Sequence, residues 1–587
     1  MKKFTSLCLL LAIYFLKITI SSAQEIDINW SDKQIYDNNK DGFFDAFVGY
    51  NSKYIYAKFD KLARRKSKIN SKIKLVAFDK KSMDKEASIA VIGYKENQSS
   101  SKNYSGMTYY KTIVFEDIVY VFWTKMSSSK NELYVQTFDS KLNPLKPLKK
   151  IYELVAEKSR ESTLFVMGNK NSNEQIVIGG ELPAKKGENI KVEYKVLKSD
   201  FSFLSSNQIT LPVTSTTGKT YGLTSSYKYG DDGNLYVRTM VSVDKEDIKN
   251  AKSNKTSIVY RYPILTIVDV SSGKFTAFPI KAENKNIFDF DYIVDKNSIK
   301  VFGFFSDFKK DPRGNNTHGI FYSTIDNKTF TMQNVNFTYF TKNQLDELFK
   351  KDIEDRKGST SRRSRKKADA DETLASNYLI EDVKSLDPDN LVLFCSRMRN
   401  YTVQSCDSKG HCTTRYYCEK DNVTAFKISK DGNIVWASNL DRKITYSGWD
   451  IFDLNVISNN NKFYAIYGSS FIASASKKNN RSKKSKDQRT DRLEYAVFDY
   501  SSGSFSKKEY KVNPINAKKE VRKTIDPKAI DVLDNKFYTS STRRSLKAGP
   551  TVLVCAGMLV CWPSIVFWPW GFYTHGYGYL GNISATH

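Results

Sequence analysis

Short apolar runs alternate with polar turns along nearly the whole chain, and the runs come in two kinds. The first kind is rich in Tyr, Phe, Val, Ile and Leu and follows a polar turn. It occupies residues 54–57, 119–122, 176–178, 235–237, 299–302, 391–394, 463–466 and 537–539. Turns ahead of it include Asp232-Gly233-Asn234, Asp389-Asn390, Asn460-Asn461 and Asp534-Asn535, residue types that tolerate left-handed backbone. The second kind alternates apolar and polar positions and ends on an acidic or turn residue. It occupies residues 75–79, 134–139, 192–196, 265–269, 321–326, 425–428 and 495–499. Period-two alternation marks a strand with one buried face. A turn such as Ser272-Gly273, Asp431-Gly432 or Ser502-Gly503 comes next, and then a further strand.

Successive copies of the first kind start roughly 65 residues apart, the signature of a repeat architecture. The widest interval, between residues 299 and 391, holds an insertion at residues 350–374. Two strand kinds alternating around the chain, with further strands between units, predict an all-β fold: a seven- or eight-bladed β-propeller spanning residues 24–547. Residues 26–30, Ile-Asp-Ile-Asn-Trp, are expected to complete a blade begun by the C-terminus, because ring closure of that kind removes an exposed sheet edge. The alternatives are an open β-solenoid and a tandem of β-sandwiches, whose period would be nearer ~100 residues.

In this strand grammar residues 25–545 resemble secreted bacterial envelope β-propeller proteins in general. No WD, kelch or tryptophan-docking signature recurs along the chain, so the resemblance implies a binding platform and nothing finer.

The N-terminus carries an address. Lys2 and Lys3 precede an apolar run over residues 6–16, and Ser21-Ser22-Ala23 supplies small residues for cleavage. That order is the one expected of a signal peptide over residues 1–23. It predicts an exported protein that is periplasmic, cell-surface or secreted. Cys8 lies at the start of the apolar run, not at the cleavage point, so no lipid anchor is expected there.

Composition sharpens the partner class. The 587 residues carry 92 Lys+Arg against 64 Asp+Glu, a net charge of +28, while 40% apolar residues supply a sizeable core. Two stretches concentrate the positive charge: the insertion at residues 350–374, with Arg362, Arg363, Arg365, Lys366 and Lys367, and a basic loop at residues 476–492, with Lys483, Lys484 and Lys486. Such runs suit anions or solvated inter-strand loops. Nucleic acid is not expected as the partner of an exported protein, and the runs lack the interleaved aromatics that stack bases. An anionic envelope polymer is the sharper reading.

Four cysteines cluster at Cys395, Cys406, Cys412 and Cys418. Outside the cytoplasm, thiols so close in sequence are expected to form two disulfides, with three pairings open. Zinc is disfavoured because no close C-x2–4-C pair is present. Asp37, Asn39, Asp41 and Asp45, with Gly42, match the first part of a calcium loop. Position twelve is Val48, where such a loop needs a glutamate, so a plain polar turn is the competing reading. No other cofactor is expected.

Residues 548–587 contain no Asp, Glu, Lys or Arg. Within them a run with Trp562, Trp568 and Trp570 suits buried strands, an interfacial membrane hairpin or a bilayer span, although Pro563 and Pro569 interrupt any continuous helix.

No H-E-x-x-H, G-x-S-x-G or P-loop pattern occurs, and His318, His411, His575 and His587 are isolated. The expectation is therefore an exported, non-enzymatic binding or scaffold protein serving a protein, glycan or anionic partner of the envelope. A polysaccharide hydrolase or lyase with channel carboxylates and a membrane-tethered assembly component are the alternatives. The oligomeric state is not legible.

Overall fold

The computed structural model describes residues 26–30, 36–37, 43–61, 72–91, 107–155, 163–169, 174–185, 187–214, 225–244, 259–282, 284–310, 317–345, 378–406, 412–447, 454–468, 492–511, 525–533, 536–545 and 575–585. Two short strands open it, β1 (Ile26–Trp30) and β2 (Tyr36–Asp37). Seven four-stranded antiparallel sheets then follow in chain order, numbered here as blades 1 to 7. Blade 1 holds β3 (Phe43–Tyr50), β4 (Tyr54–Lys61), β5 (Lys72–Asp79) and β6 (Lys85–Ala90). Blade 2 holds β7 (Met107–Val114), β8 (Ile118–Met126), β9 (Lys130–Asp139) and β10 (Pro144–Val155). Blade 3 holds β11 (Thr163–Asn169), β12 (Gln175–Glu181), β13 (Asn189–Leu197) and β14 (Phe203–Thr214). Blade 4 holds β15 (Ser225–Tyr229), β16 (Asn234–Asp244), β17 (Val259–Asp269) and β18 (Phe275–Pro279). Blade 5 holds β19 (Lys285–Val294), β20 (Ser298–Asp307), β21 (Gly319–Asp326) and β22 (Asn336–Tyr339). Blade 6 holds β23 (Tyr378–Asp387), β24 (Asn390–Cys406), β25 (Cys412–Ser429) and β26 (Ile434–Ser447). Blade 7 holds β27 (Asn455–Asn459), β28 (Lys462–Gly468), β29 (Arg492–Asp499) and β30 (Phe505–Lys511). The chain ends with β31 (Ile525–Leu533), β32 (Lys536–Ser545) and β33 (His575–Ala585).

These last three strands join β1 in the order β31-β32-β33-β1, with β2 also pairing β33, so both ends of the chain build one closing sheet. The N-terminal strand is its outer member, in register from Ile26↔Ala585 to Trp30↔Gly581. Neighbouring sheets touch mainly through their first strands: β3 with β7, β7 with β11, β11 with β15, β19 with β23, β23 with β27, β27 with β31 and β31 with β3. Packing of β17 on β19 completes the circuit. The result is a β-propeller ring in which the closing sheet stands between blades 7 and 1. The expected closure by residues 26–30 is present. Strand β33 lies inside the uncharged tail of residues 548–587. Its sequence, HGYGYLGNISA, carries too much glycine to read as a strand.

Every run of the first kind is the second strand of its sheet, and every run of the second kind is a third strand. Those strands are sandwiched between neighbouring blades, so their apolar residues reach both flanks. Val121 of β8 packs towards blade 1, whereas Tyr120 and Phe122 of the same strand pack towards blade 3. The same division recurs where Val237 and Tyr236 of β16 serve opposite cores. Residues 342–345 form one helical turn after β22.

The turns after the third strands share one device. Asp79, Asp139, Asp269, Asp326 and Asp499 each end a third strand and accept hydrogen bonds from backbone N–H groups two to four residues on. Examples are Lys81 to Asp79 at 2.8 Å, Asn143 to Asp139 at 2.8 Å, Thr329 to Asp326 at 2.7 Å and Ser502 to Asp499 at 2.9 Å. Their neighbours then hold left-handed backbone, as at Gly273 (φ 72°) and Gly503 (φ 71°), conformations that glycine reaches without steric cost. Gly503 also sits against the Trp436 ring, where a Cβ would come within 2.5 Å.

The carbonyls of these turns tie adjacent blades together. Tyr56 Oη of blade 1 donates to Ser140 O of blade 2 at 2.8 Å, and Tyr120 Oη of blade 2 to Ser199 O of blade 3 at 2.6 Å. Asn207 Nδ2 of blade 3 donates to Val270 O of blade 4 at 3.2 Å, and Trp436 Nε1 of blade 6 to Tyr500 O of blade 7 at 3.0 Å.

Hydrogen bonds from the Ser271 and Ser501 hydroxyls hold Asp269 and Asp499 at about 2, and those from the Ser82 and Thr329 backbone hold Asp79 and Asp326 below the usual carboxylate range. A carboxylate with a lowered folded pKa stabilises the fold above its unfolded value, ~3.9, and loses that contribution as the pH falls through its folded value. Thermal stability is therefore expected to drop steeply between pH 4 and 2. In calorimetry, Asp269→Ala with Asp499→Ala should melt lower at pH 7 and lose less on acidification. An equal loss in both proteins would remove these turns from the account.

The meander also sorts the connections. First-to-second and third-to-fourth turns leave each sheet at one end, and these are the tight turns. Second-to-third connections and those between blades leave at the other end. The strand ends flanking residues 346–377, 469–491 and 546–574 all open onto that second face, as does the β24–β25 hairpin.

Candidate functional site

The first strands of blades 4, 5 and 6 enclose a cavity of about 380 Å³ at the axis of the ring. Its first wall is blade 4, where Ser226 and Lys228 of β15 lie exposed beside Arg238 of β16. The strand register sets Ser226 opposite Arg238, and Arg238 Nε donates to Ser226 Oγ at 3.1 Å. From there Arg238 crosses to blade 5. Its Nη1 donates to Phe290 O at 2.7 Å and lies 3.3 Å from Asp291 Oδ1. Lys228 Nζ stands 5.9 Å from the centre of the Tyr292 ring.

Tyr227 also borders the cavity. Its ring stacks on Phe165 at 4.5 Å, and its hydroxyl donates to Glu181 Oε1 at 2.8 Å. Burial, with the Glu181 charge, pushes the Tyr227 hydroxyl well up, so it remains a neutral donor. Glu181 itself is fully buried and also accepts from Ser225 N at 3.2 Å.

Blade 5 forms the floor with Asp291, Tyr292 and Ile293 of β19. A bulge between Ile287 and Asp289 resets the strand ahead of them, a device that re-aims side chains. Asp289 lies behind the floor and accepts from Ile380 N of blade 6 at 2.9 Å. Burial pushes its carboxyl up to about 6, against the opposing pull of that hydrogen bond and of Arg238.

Blade 6 is the second wall, with Glu381, Asp382 and Val383 of β23. Here a second bulge makes Glu381 the extra residue between Ile380 and Asp382. Strand alternation would send two consecutive carboxylates to opposite faces, and the bulge lets both border the cavity. Glu381 Oε2 lies 3.1 Å from Lys420 Nζ and accepts from Leu454 N of the blade 7 side at 2.7 Å. Asp382 pairs with Lys384 at 3.1 Å. Burial nonetheless raises the Asp382 carboxyl, opposed by Lys384.

None of these residues was singled out by sequence pattern. The residues that were fall elsewhere. Cys395 is a free, fully buried thiol in the middle of blade 6, opposite Ile380 and Thr424. This corrects the expectation of two disulfides among the four cysteines. Cys395 and Cys406 lie on one strand, about 36 Å apart at ~3.3 Å per residue, whereas a disulfide needs Cα atoms within roughly 7 Å. Burial pushes the Cys395 thiol well up, with Asp289 and Glu381 adding to the effect, which leaves it unreactive. Cys406 lies directly opposite Cys412, which is disulfide-bonded, and Cys418 lies opposite Asn400, further down the hairpin.

Of the calcium-loop residues, Asp45 forms an ion pair with Lys58 at 2.6 Å, Asp37 ends β2, and Asn39 and Asp41 lie outside the described residues. No group of metal-ligating side chains occurs among the described residues. The anion-binding candidates Arg362, Arg363, Arg365, Lys366, Lys367, Lys483, Lys484 and Lys486 lie outside them, as do the membrane-contact candidates Trp562, Trp568 and Trp570 and the signal segment. Among the described residues no helix is long and apolar enough to cross a membrane. His318 is buried away from the cavity, its Nδ1 accepting from Asp307 N at 3.1 Å.

No protein-family model and no curated protein matches the chain significantly. Solved structures resemble it distantly. The WD40 domain of SCAP from fission yeast aligns over 95% of this chain and 98% of its own, at 8% identity and a TM-score of 0.36. Polysaccharide lyase Uly1 aligns over 84% and 94%, at 10% identity and a TM-score of 0.34. An ulvan lyase of polysaccharide lyase family PL25 aligns over 82% and 96%, at 8% identity and a TM-score of 0.35. Likenesses at this level carry no argument about function.

Proposed function

We propose that the protein is a non-enzymatic binding platform of the cell envelope, which takes a protein or glycan partner at the axial cleft. The observation that carries this reading is the state of the cleft carboxylates. Asp291, Asp382 and Glu381 each have a cationic partner within 3.3 Å, namely Arg238, Lys384 and Lys420. Carboxylates held in this way are positioned to bind and orient, and they are poorly placed to pass protons to a substrate. The signal-like N-terminus favours export, and so does the disulfide at Cys412, since disulfides persist mainly outside the cytoplasm.

One observation favours a second reading, cleavage of a polysaccharide. Burial raises both Asp289 and Asp382, and raised carboxyls are the groups that general acid chemistry uses. The two readings separate in one experiment. Immobilised protein is exposed to solubilised envelope polymers, and both retention and new chain ends are measured. Saturable retention without new ends is expected. Product that accumulates with time and disappears in Asp382→Asn would replace the platform with an enzyme.

A further inference from the structure

We propose that Asp289 is a proton-operated latch between blades 5 and 6. With its carboxyl protonated the seam is tight, and loss of the proton loosens it. Blades 5 and 6 meet there through β19 and β23, the strands that supply the floor and second wall of the axial cleft. The latch therefore regulates the binding site of the platform reading, and its importance to a partner rests on that reading.

The geometry carries the argument. Three carboxylates stitch successive blades together, each accepting a backbone amide at the start of the next blade. Glu181 of blade 3 accepts from Ser225 N at 3.2 Å, Asp289 of blade 5 from Ile380 N at 2.9 Å, and Glu381 of blade 6 from Leu454 N at 2.7 Å. Two of them have further support. Glu181 also accepts from the Tyr227 hydroxyl at 2.8 Å, and Glu381 lies 3.1 Å from Lys420 Nζ. Among the described residues no Lys or Arg forms an ion pair with Asp289. Its neighbours divide. Arg238 of β16 favours the ionised form, but that guanidinium is matched to Asp291 at 3.3 Å. Asp291, on the same strand, opposes ionisation. On β23, Glu381 is paired with Lys420 of β25 and Asp382 with Lys384. Cys395 of β24 is a buried neutral thiol that feels both Asp289 and Glu381. Loss of water is the largest influence and raises the Asp289 carboxyl to about 6. Protonated, the group keeps a carbonyl oxygen for the Ile380 amide and carries no charge to desolvate. Ionised, it holds a charge without a matching cation, and local opening that admits water relieves the cost. A carboxyl whose closed-state value is raised favours the open state more as the pH rises. The seam should therefore loosen from about pH 4, the value of a solvated aspartate, to about pH 6, and then level off.

The test is amide exchange of the full chain at a series of pH values, corrected for the intrinsic exchange rate and read in peptides covering β19 and β23. Protection of both strands should fall about tenfold between pH 5 and pH 7, the ratio set by a solvated value of ~3.9 and a seam value of about 6. Asp289→Asn keeps the carbonyl acceptor and removes the charge. It should be at least as well protected at pH 7 as the parent is at pH 5, and should lose the pH dependence. Equal protection of the parent at both pH values would overturn the proposal. So would a variant that keeps the tenfold change, because another group would then be responsible. If the variant does not fold, the parent decides alone. Protection that levels off above pH 6 supports the latch, and protection that keeps falling through pH 8 belongs to a different group and overturns it. Retention of envelope polymer is measured separately at both pH values. Its absence would overturn the platform reading and leave the latch standing, whereas a seam indifferent to pH would overturn the latch and leave the platform.

Discussion

Lys420→Met is expected to destabilise the fold by about 3–5 kcal/mol, the usual cost of leaving one member of a buried ion pair alone. Lys420 and Glu381 have side chains only 4% and 6% exposed, with 3.1 Å between charged atoms. With the ammonium gone, the Glu381 carboxylate keeps its hydrogen bond from Leu454 N but loses its counter-charge in a site shut off from water. The double variant Lys420→Met with Glu381→Gln removes the stranded charge and should recover much of the loss. If the single variant unfolds within about 1 kcal/mol of the parent, this wall of the cleft is not held by the pair.

Removing residues 575–585 is expected to lower the melting temperature by at least about 10 °C, several kcal/mol for a chain of this size. The deletion takes away β33, which pairs with β32 from Phe537↔Ile583 to Ser545↔His575. It also leaves β1 and β2 with no partner, since both pair with β33. The ring would then end at β32 with an open sheet edge, an invitation to aggregation. Scattering during a thermal ramp should show the truncated protein associating before the full chain does. A truncated protein that melts within about 2 °C of the full chain would show that the ring does not depend on closure.

The propeller was legible from sequence because its second and third strands are buried on both flanks. Runs such as Val119-Tyr120-Val121-Phe122 repeat that demand around the ring. The eighth copy, at residues 537–539, and the strand at residues 26–30 together signalled closure. First and fourth strands were harder to read. β30, FSKKEYK, is largely exposed and carries few apolar residues. β19, KNIFDFDYIV, interrupts its apolar pattern with Asp289 and Asp291 because it borders the axis.

The candidate site was illegible for the same reason. Its residues come from three blades, and only the ring brings Arg238, Asp291 and Asp382 together. Two bulges, at β19 and β23, set which side chains reach the cavity, and a bulge leaves no mark in the alternation of a single sequence. The cysteines show the opposite error. Their sequence spacing suggested mutual proximity, yet extended strands carry Cys395 far from the hairpin end where Cys406 and Cys412 meet.

Hydrogen exchange tests the central claim, partner binding at the axial cleft, most directly. Amide exchange would be compared in the free protein and in the protein saturated with the retained envelope polymer. Slower exchange is expected in β15, β19 and β23, with the tight turns after the third strands unchanged. Protection confined to the outer strands, with those three inner strands unaffected, would contradict the account.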